Sequence, residues 1–348
     1  MKEYLFEIQY LLGAERKKIP YLVVLFLISS FLDLVGIGLI GPYLALVVNA
    51  DSPTEGSLQN IIVFMGLPQK QSQLLILLGL GLLVILLLKA VFAIYINRII
   101  IVFSNKQQIR LKSFLMQAYQ HISYNDYIKR NSAEYILAIQ SFTNSFAGVL
   151  NVGLRMISDG LVGLAILIML AWTNGPALGL LVFLLGGMVF GYDRFLRKNI
   201  RKYGTLANEA STRMVQGIHE GIEGLKEIRI LGREQHFHHI VHKGAQEASD
   251  NSVKSQVIAS APRYLLEFLL VVFVVSLVVG ALLMGKNLKD LVPMFGMFGV
   301  ASLRLMPSAN NISTTLVQLR FNRHAISRLY NDLIELKEKK QSRTQRFL

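Results

Sequence analysis

Long apolar runs divide this chain, and the polar segments between them alternate between short and long. A helix that crosses a bilayer needs about 20 mostly apolar residues. Six stretches reach or approach that length: 20–48, 74–96, 136–172, 176–191, 264–284 and 291–319. The third is interrupted by Asn144, Asn151 and Arg155, so its inner half is expected to face protein or water. The segments after the first, third and fifth runs read "DSPTEGSLQN", "TNGP" and "GKNLKD", and they are short or poor in basic residues. Those after the second and fourth are long, basic, free of proline and helical in period. The pattern therefore predicts an all-α membrane protein with six spans and two long helical hairpins projecting into water. The excess of Lys and Arg in those hairpins puts them, and both termini, on the cytoplasmic side; a bacterial-type inner membrane is the expected location.

Composition agrees with this pattern. Of 348 residues, 53% are hydrophobic and 17% charged, too apolar for a soluble chain of this length. The net charge of +14 would suit nucleic acid in a soluble protein. In a membrane protein it belongs to basic cytoplasmic loops beside anionic lipid headgroups, so lipid and not nucleic acid is the expected partner. Cysteine is absent, which excludes disulfides and cysteine metal sites. Residues 1–19 mix polar and apolar positions, and the run after them is too long for the apolar part of a signal peptide. Their "EYLFEIQYLLGAERKK" is amphipathic and reads as an interfacial helix near the anionic leaflet. On the outer side, "SLQNIIVFMGL" (57–67) puts Leu58, Ile61, Ile62 and Met65 on one helical face. It would lie flat on the membrane or pack as a loop against its neighbours.

Charge inside the spans is the main chemical signal. "RLMPSAN" (304–310) places Arg304 and Pro307 within the sixth run. An arginine at that depth costs about 2.5–3.5 kcal/mol on insertion scales, so it is expected to face a water-filled path or an anion. Lys89, Arg263 and Arg304 lie in three different runs and could converge on one phosphate-bearing headgroup, with Pro307 kinking its helix. In the alternative, Lys89 and Arg263 snorkel to the cytoplasmic edge and Arg304 pairs with an acid such as Glu267.

Other motifs weigh less. "GALLMGK" (280–286) has the spacing of a phosphate-binding loop, but Asn287 follows where Ser or Thr must bind magnesium, and an apolar span replaces the strand. His238 and His242 share a helix face without a third ligand, so no metal site is expected. No catalytic residue is found. In "LKEIRILGRE" the charges read as i,i+4 surface pairs or as a face for a partner.

The whole layout resembles the transmembrane domain of ABC exporters, the type with six long helices per half. "HISYNDYIKRNSAEY" resembles the first cytoplasmic turn of that family, and "GIEGLKEIRILGREQHF" the segment following its second turn, with Gly224, Ile228 and Gly232 in register. The resemblance implies two coupling helices. The first falls at about 123–130, with Tyr124, Asn125, Asp126 and Tyr127, and the second at about 207–217, with Ser211, Thr212, Arg213 and Met214. "APRYLLEF", "RLMPSAN" and "LLLKAVFAIY" are similar to Pgl-type flippases of lipid-linked oligosaccharides, where the positions of Arg263, Arg304 and Lys89 form a basic belt in the cavity. Lysine at position 89 keeps the charge and loses bidentate phosphate geometry.

The resemblance implies an ATP-driven flippase or exporter working as a dimer. Residues 1–19 would be the interfacial helix, 20–325 the six-helix domain, and 326–348 a linker to a nucleotide-binding domain, fused or separate, that holds ATP and Mg and does the hydrolysis. An ion-coupled secondary transporter is the competing reading, although the two halves show no repeat; a membrane scaffold without transport is the third.

Overall fold

The computed structural model describes residues 2–48, 71–128, 130–173, 175–283 and 288–346. The expected outer helix at 57–67 lies outside these residues, as does the side chain of Arg304. Helix α1 (Lys2–Leu12) is followed by a 3₁₀ turn (Gly13–Lys18) and α2 (Ile19–Val48). Helix α3 (Gln71–Gln120) descends to a one-turn α4 (Tyr124–Tyr127) and the short α5 (Ser132–Leu137). A π-helical turn (Ala138–Phe142) joins α5 to α6 (Thr143–Thr173). Then come α7 (Gly175–Glu223), α8 (Leu225–Leu231), α9 (Glu234–Leu283), α10 (Leu288–Phe321) and α11 (Arg323–Arg346). No strand occurs among the described residues.

These lengths follow from the solvent. Inside a bilayer only a helix satisfies every backbone group within its own segment. At 1.5 Å per residue, the 50 residues of α3 and of α9 each rise about 75 Å, against a hydrocarbon core of about 30 Å. Roughly 40 Å of each therefore stands clear of the membrane, as the basic hairpins of the sequence require. Five helical stretches among the described residues, 3–36, 75–120, 132–172, 178–223 and 234–280, are long and apolar enough to cross. The sixth expected span coincides with α10, 34 residues long, part of whose side chains lie outside the described set. Along α3, Ile76, Leu80, Leu83, Leu87, Val91 and Ile94 form an exposed apolar stripe at helical spacing, the face left to lipid.

Two cores hold the bundle. The inner one joins α1, α2, α3, α6 and α11 around Leu12, Phe26, Ile100, Leu115, Phe146 and Leu329. The outer one joins α6, α7, α9 and α10 around Ile166, Leu170, Leu181, Phe273 and Leu305. Among the described residues, only α6 supplies buried side chains to both: Phe146, Leu150 and Leu154 to the first, Val162, Ile166 and Leu170 to the second.

Helix α1 and the first half of α11 are more tightly integrated than their sequence suggests. Gly13 takes a positive φ of 57°, and Arg110 Nη1 donates to the Leu12 carbonyl at 2.7 Å where α1 turns into α2. Glu7 accepts from Arg323 Nη2 at 3.0 Å and from Ser327 Oγ at 3.1 Å, and Tyr10 meets the edge of Tyr330 at 5.1 Å. Helix α1 is thus docked on α11 and not merely laid on a lipid surface. The expected boundary at 325 cuts through a packed element, because Ile326, Leu329 and Leu333 of α11 belong to the inner core.

The α7–α9 hairpin depends on small residues where the backbones approach. A Cβ on Gly217 would lie 2.6 Å from Ile240 Cγ2, and one on Gly244 2.9 Å from Met214 Cβ. Gly204 is tighter still: its Cβ would sit 2.1 Å from the Phe321 carbonyl oxygen, a backbone atom that cannot swing aside. Gly204→Ala is therefore expected to destabilise the detergent-solubilised protein by about 1–3 kcal/mol, the range for overpacking. Gly191→Ala on the same helix meets open space and is expected to be neutral or stabilising in the same unfolding assay.

Candidate functional site: the cytoplasmic tips and the charged residues of the spans

Two turns carry the ends of the hairpins remote from the apolar spans. At the first, Ser123 accepts from the Asp126 backbone N–H at 3.2 Å and donates to Asp126 Oδ2 at 2.7 Å, which starts α4. Asn131 caps α5 by accepting from the Ala133 N–H at 2.9 Å. The four residues Tyr124, Asn125, Asp126 and Tyr127 make up α4 itself, and Tyr124 is 76% exposed.

The second turn comes later than expected. Ser211, Thr212, Arg213 and Met214 sit inside unbroken α7, more than two turns before its end. Thr212 Oγ1 donates to the Asn208 carbonyl at 2.9 Å, and Arg213 pairs with Glu247 of α9, so this stretch is hairpin wall. The chain reverses at Gly224, α8 and Gly232, which has a left-handed φ of 61° and closes the helix. Two glycines bracketing seven residues were the signal in the sequence that marks this turn. Ile228 anchors α8 inward, while Ile222, Ile230 and Leu231 are each at least 70% exposed.

Sequence reasoning missed a polar junction behind the first turn. Arg130 donates to both carboxylate oxygens of Asp332 on α11, at 2.9 and 3.1 Å, and through Nε to Glu134 at 2.9 Å. Tyr119 Oη donates to the same Asp332 at 3.0 Å. The guanidinium lies over the Tyr135 ring at 4.9 Å, and Tyr135 stacks on Tyr127 of α4 at 5.7 Å. Burial works to lower the Arg130 pKa, but the hydrogen bonds and charge of Asp332 outweigh it, so the net shift is upward. A cavity of about 500 Å³ opens here between α4–α5 and α11, lined among others by Arg130, Glu134, Arg328 and Asp332. A second, of about 260 Å³, adjoins it and is lined by Arg213, Glu209 and His324.

The span residues behave differently. Lys89 pairs with Asp33 of α2, which is only 1% exposed, and so points away from the lipid stripe of α3. Arg263 donates to Glu267 at 3.2 Å, four residues along the same helix, and remains 68% exposed. Glu267, the acid expected to pair with Arg304 in the alternative, is thus held by Arg263. Lys89 and Arg263 stand on helices with different packing partners: α3 packs against α2 and α6, whereas α9 packs against α7 and α10. Pro262 and Pro307 are accommodated inside α9 and α10. His238 and His242 stack on α9, and no group of three metal-binding side chains occurs among the described residues.

The architecture defines a class: a multi-pass, all-helical membrane domain with long helical hairpins that end in short helices. The family model of the ABC transporter transmembrane region matches residues 19–302, and the chain belongs to that family. Among solved structures, a bacterial Atm1-family ABC exporter with ATP bound is similar, with 14% identity and a TM-score of 0.65. The match covers 91% of this chain and 53% of that one, so the chain spans about half the length of that exporter chain. At this identity the likeness is one of fold.

The junction can be tested by a mutant cycle. Arg130→Gln and Asp332→Asn are each expected to cost about 3 kcal/mol, the lower end for breaking a buried pair, because Arg130 keeps some contact with water. The double variant should cost clearly less than the sum in an unfolding cycle; additive losses would mean that the pair is not coupled. Separately, half-burial and then the neighbouring Arg328 push His324 below its ordinary 6.5, against a weaker opposing pull from Glu209. The unfolded chain then takes up the proton first as pH falls through 6.5, so the folded state loses stability below that value. His324→Gln should flatten the change in melting temperature between about pH 7.5 and about pH 5.5; an unchanged slope would assign it to other groups.

Proposed function

We propose that this chain is the membrane-spanning part of an ATP-driven exporter or flippase. It acts as a dimer with nucleotide-binding domains, fused downstream or separate, that hold ATP and Mg. The observation that carries this reading is the exposed apolar surface at the two cytoplasmic tips. Tyr124 and Ile128 at the first, and Ile222, Ile230 and Leu231 at the second, stand in water about 40 Å from the hydrocarbon, where lipid cannot cover them. Apolar side chains clustered in this way mark a docking surface for a soluble partner.

In this reading α4 and α8 are the two coupling helices, so the second contact moves from 207–217 to 225–231. Closure of the paired nucleotide domains would push on both tips. The long rigid hairpins would carry the displacement to the spans, and the Arg130–Asp332 junction would tie the first tip to α11, the helix leading toward the ATPase. The cargo we infer is an amphipathic anion, with a lipid-linked oligosaccharide pyrophosphate as the specific candidate. Arg263 and Arg304 would meet the anionic group, with a second copy of the chain supplying the other wall. Lys89, held by Asp33, would act through that pair. The membrane is a bacterial-type inner membrane with both termini cytoplasmic.

The buried Asp33–Lys89 pair is the one observation favouring ion-coupled transport, since a buried acid in a span is a feature of proton relays. The complete gene product in proteoliposomes separates the two readings: cargo movement should require ATP and persist without an ion gradient. Ile230→Asp with Leu231→Asp should leave the fold intact and reduce ATP-driven transport by at least about tenfold, as loss of roughly 1.4 kcal/mol of docking would. Transport at wild-type rate in that variant, or transport driven by a gradient without ATP, would overturn the proposal. Arg304→Ala should lower transport without lowering the amount of folded protein.

A further inference from the structure

Helix α6 carries a polar strip that the basic belt does not include. Asn144, Asn151, Arg155 and Asp159 fall within an arc of about 80° at 100° per residue. That arc has a different use in the outer half of the same helix. There it holds Val162, Ile166 and Leu170, which are packed into the outer core against α7, α9 and α10. The opposite side of the outer half bears Leu164 and Ile168, exposed as a lipid face should be. From Asn151 to Asp159 the strip therefore turns toward α10 and away from lipid, whereas Asn144 accepts from Gln108 Nε2 of α3 at 3.4 Å.

The two helices approach each other at Gly163, where a Cβ would lie 3.7 Å from Leu305 and 3.9 Å from Ser308. One turn toward the cytoplasm, Asn311 of α10 still reaches across, donating to Asp159 Oδ2 at 2.8 Å. One turn further, Arg155 is exposed: its Nε donates to Asn151 Oδ1 at 3.0 Å, and it makes no ion pair among the described residues. Arg155 lies 18 residues from the outer end of α6. Arg263 lies 20 from that of α9, and position 304 lies 16 from that of α10, so all three share a layer about 24–30 Å deep. A guanidinium there that turns from lipid into the bundle is suited to face water or an anion.

We propose that Arg155 is an anion-binding residue of the transport path. Its guanidinium receives the phosphate-type headgroup of an amphipathic cargo, and the flanking carboxamides of Asn151 and Asn311 take up the hydroxyls of a polyol attached to it. A planar fork of five donors suits bidentate binding of a phosphoryl group. The assignment rests on the proposed transport function for its cargo, and on the geometry of α6 for its position.

The chain contains no cysteine, so introduced thiols report without background from it. Asn151→Cys, and Leu164→Cys as the lipid-side control, are placed in the complete transporter in inside-out vesicles. Both are treated with a membrane-impermeant cationic methanethiosulfonate, and the modified peptide is quantified by mass. Only an ionised, hydrated thiol reacts, so position 151 should react at least about tenfold faster than 164. Equal rates, or an inert 151, overturn the water-lined strip. Farnesyl pyrophosphate is the anionic probe and farnesol its uncharged counterpart. The pyrophosphate should slow modification of Asn151→Cys and farnesol should not. Arg155→Gln in that background should abolish the protection, and Arg155→Lys should retain part of it. Protection that survives Arg155→Gln, or that farnesol gives equally, overturns the assignment. The labelling needs neither ATP nor a working ATPase. A protected strip in a protein that shows no ATP-driven transport would sink the transport reading and leave this site standing.

Discussion

Helix α6 has to serve two cores, and it does so by presenting a different face to each. Its inner half packs toward α2, α3 and α11, and its outer half toward α7, α9 and α10. In hydrocarbon there is no hydrophobic drive between helices, so the bundle is held by close packing and a few polar contacts. One helix common to both clusters is what makes them one body. The same requirement leaves Asn151, Arg155 and Asp159 on the arc that faces α10, where Asn311 donates to Asp159.

The charges divide by the solvent around them. Lys89 and Asp33 lie inside the bundle and satisfy each other, which removes two costly desolvated ions at once and joins α2 to α3. Arg130 and Asp332 stand at the end remote from the spans, shielded by Tyr119 and Tyr135, and their bidentate geometry fixes α11 against the first turn. Arg263 keeps a same-helix partner and stays open. Pairing across helices therefore marks the charges that hold helices together.

The hairpins set the mechanical character. Helices α7 and α9 are in contact through glycines at 217 and 244, so they move as one rod, and Gly204 brings α7 against the end of α10. The π-helical turn at Ala138–Phe142 breaks the regular ladder between the first tip and α6. Such turns give a helix a place where register can adjust, which suits an element that links a cytoplasmic contact to a span.

The sequence alone determined the all-helical class, five of the six spans, the long helical connections and the first turn, because each of these depends on local hydropathy, period or capping. Arg155 was visible as a polar interruption, and the glycines at 224 and 232 were visible as breakers. Only the tertiary structure decided that Lys89 is neutralised by Asp33, that Arg130 meets Asp332 some 202 residues away, and that α11 is core before it is linker. It also moved the second turn to α8, since a continuous helix through Ser211–Met214 leaves nothing in its local pattern to say how far it runs before its neighbour returns. Partners across helices are chosen by where the axes cross and which faces meet there, and hydropathy along one stretch of chain does not encode that crossing.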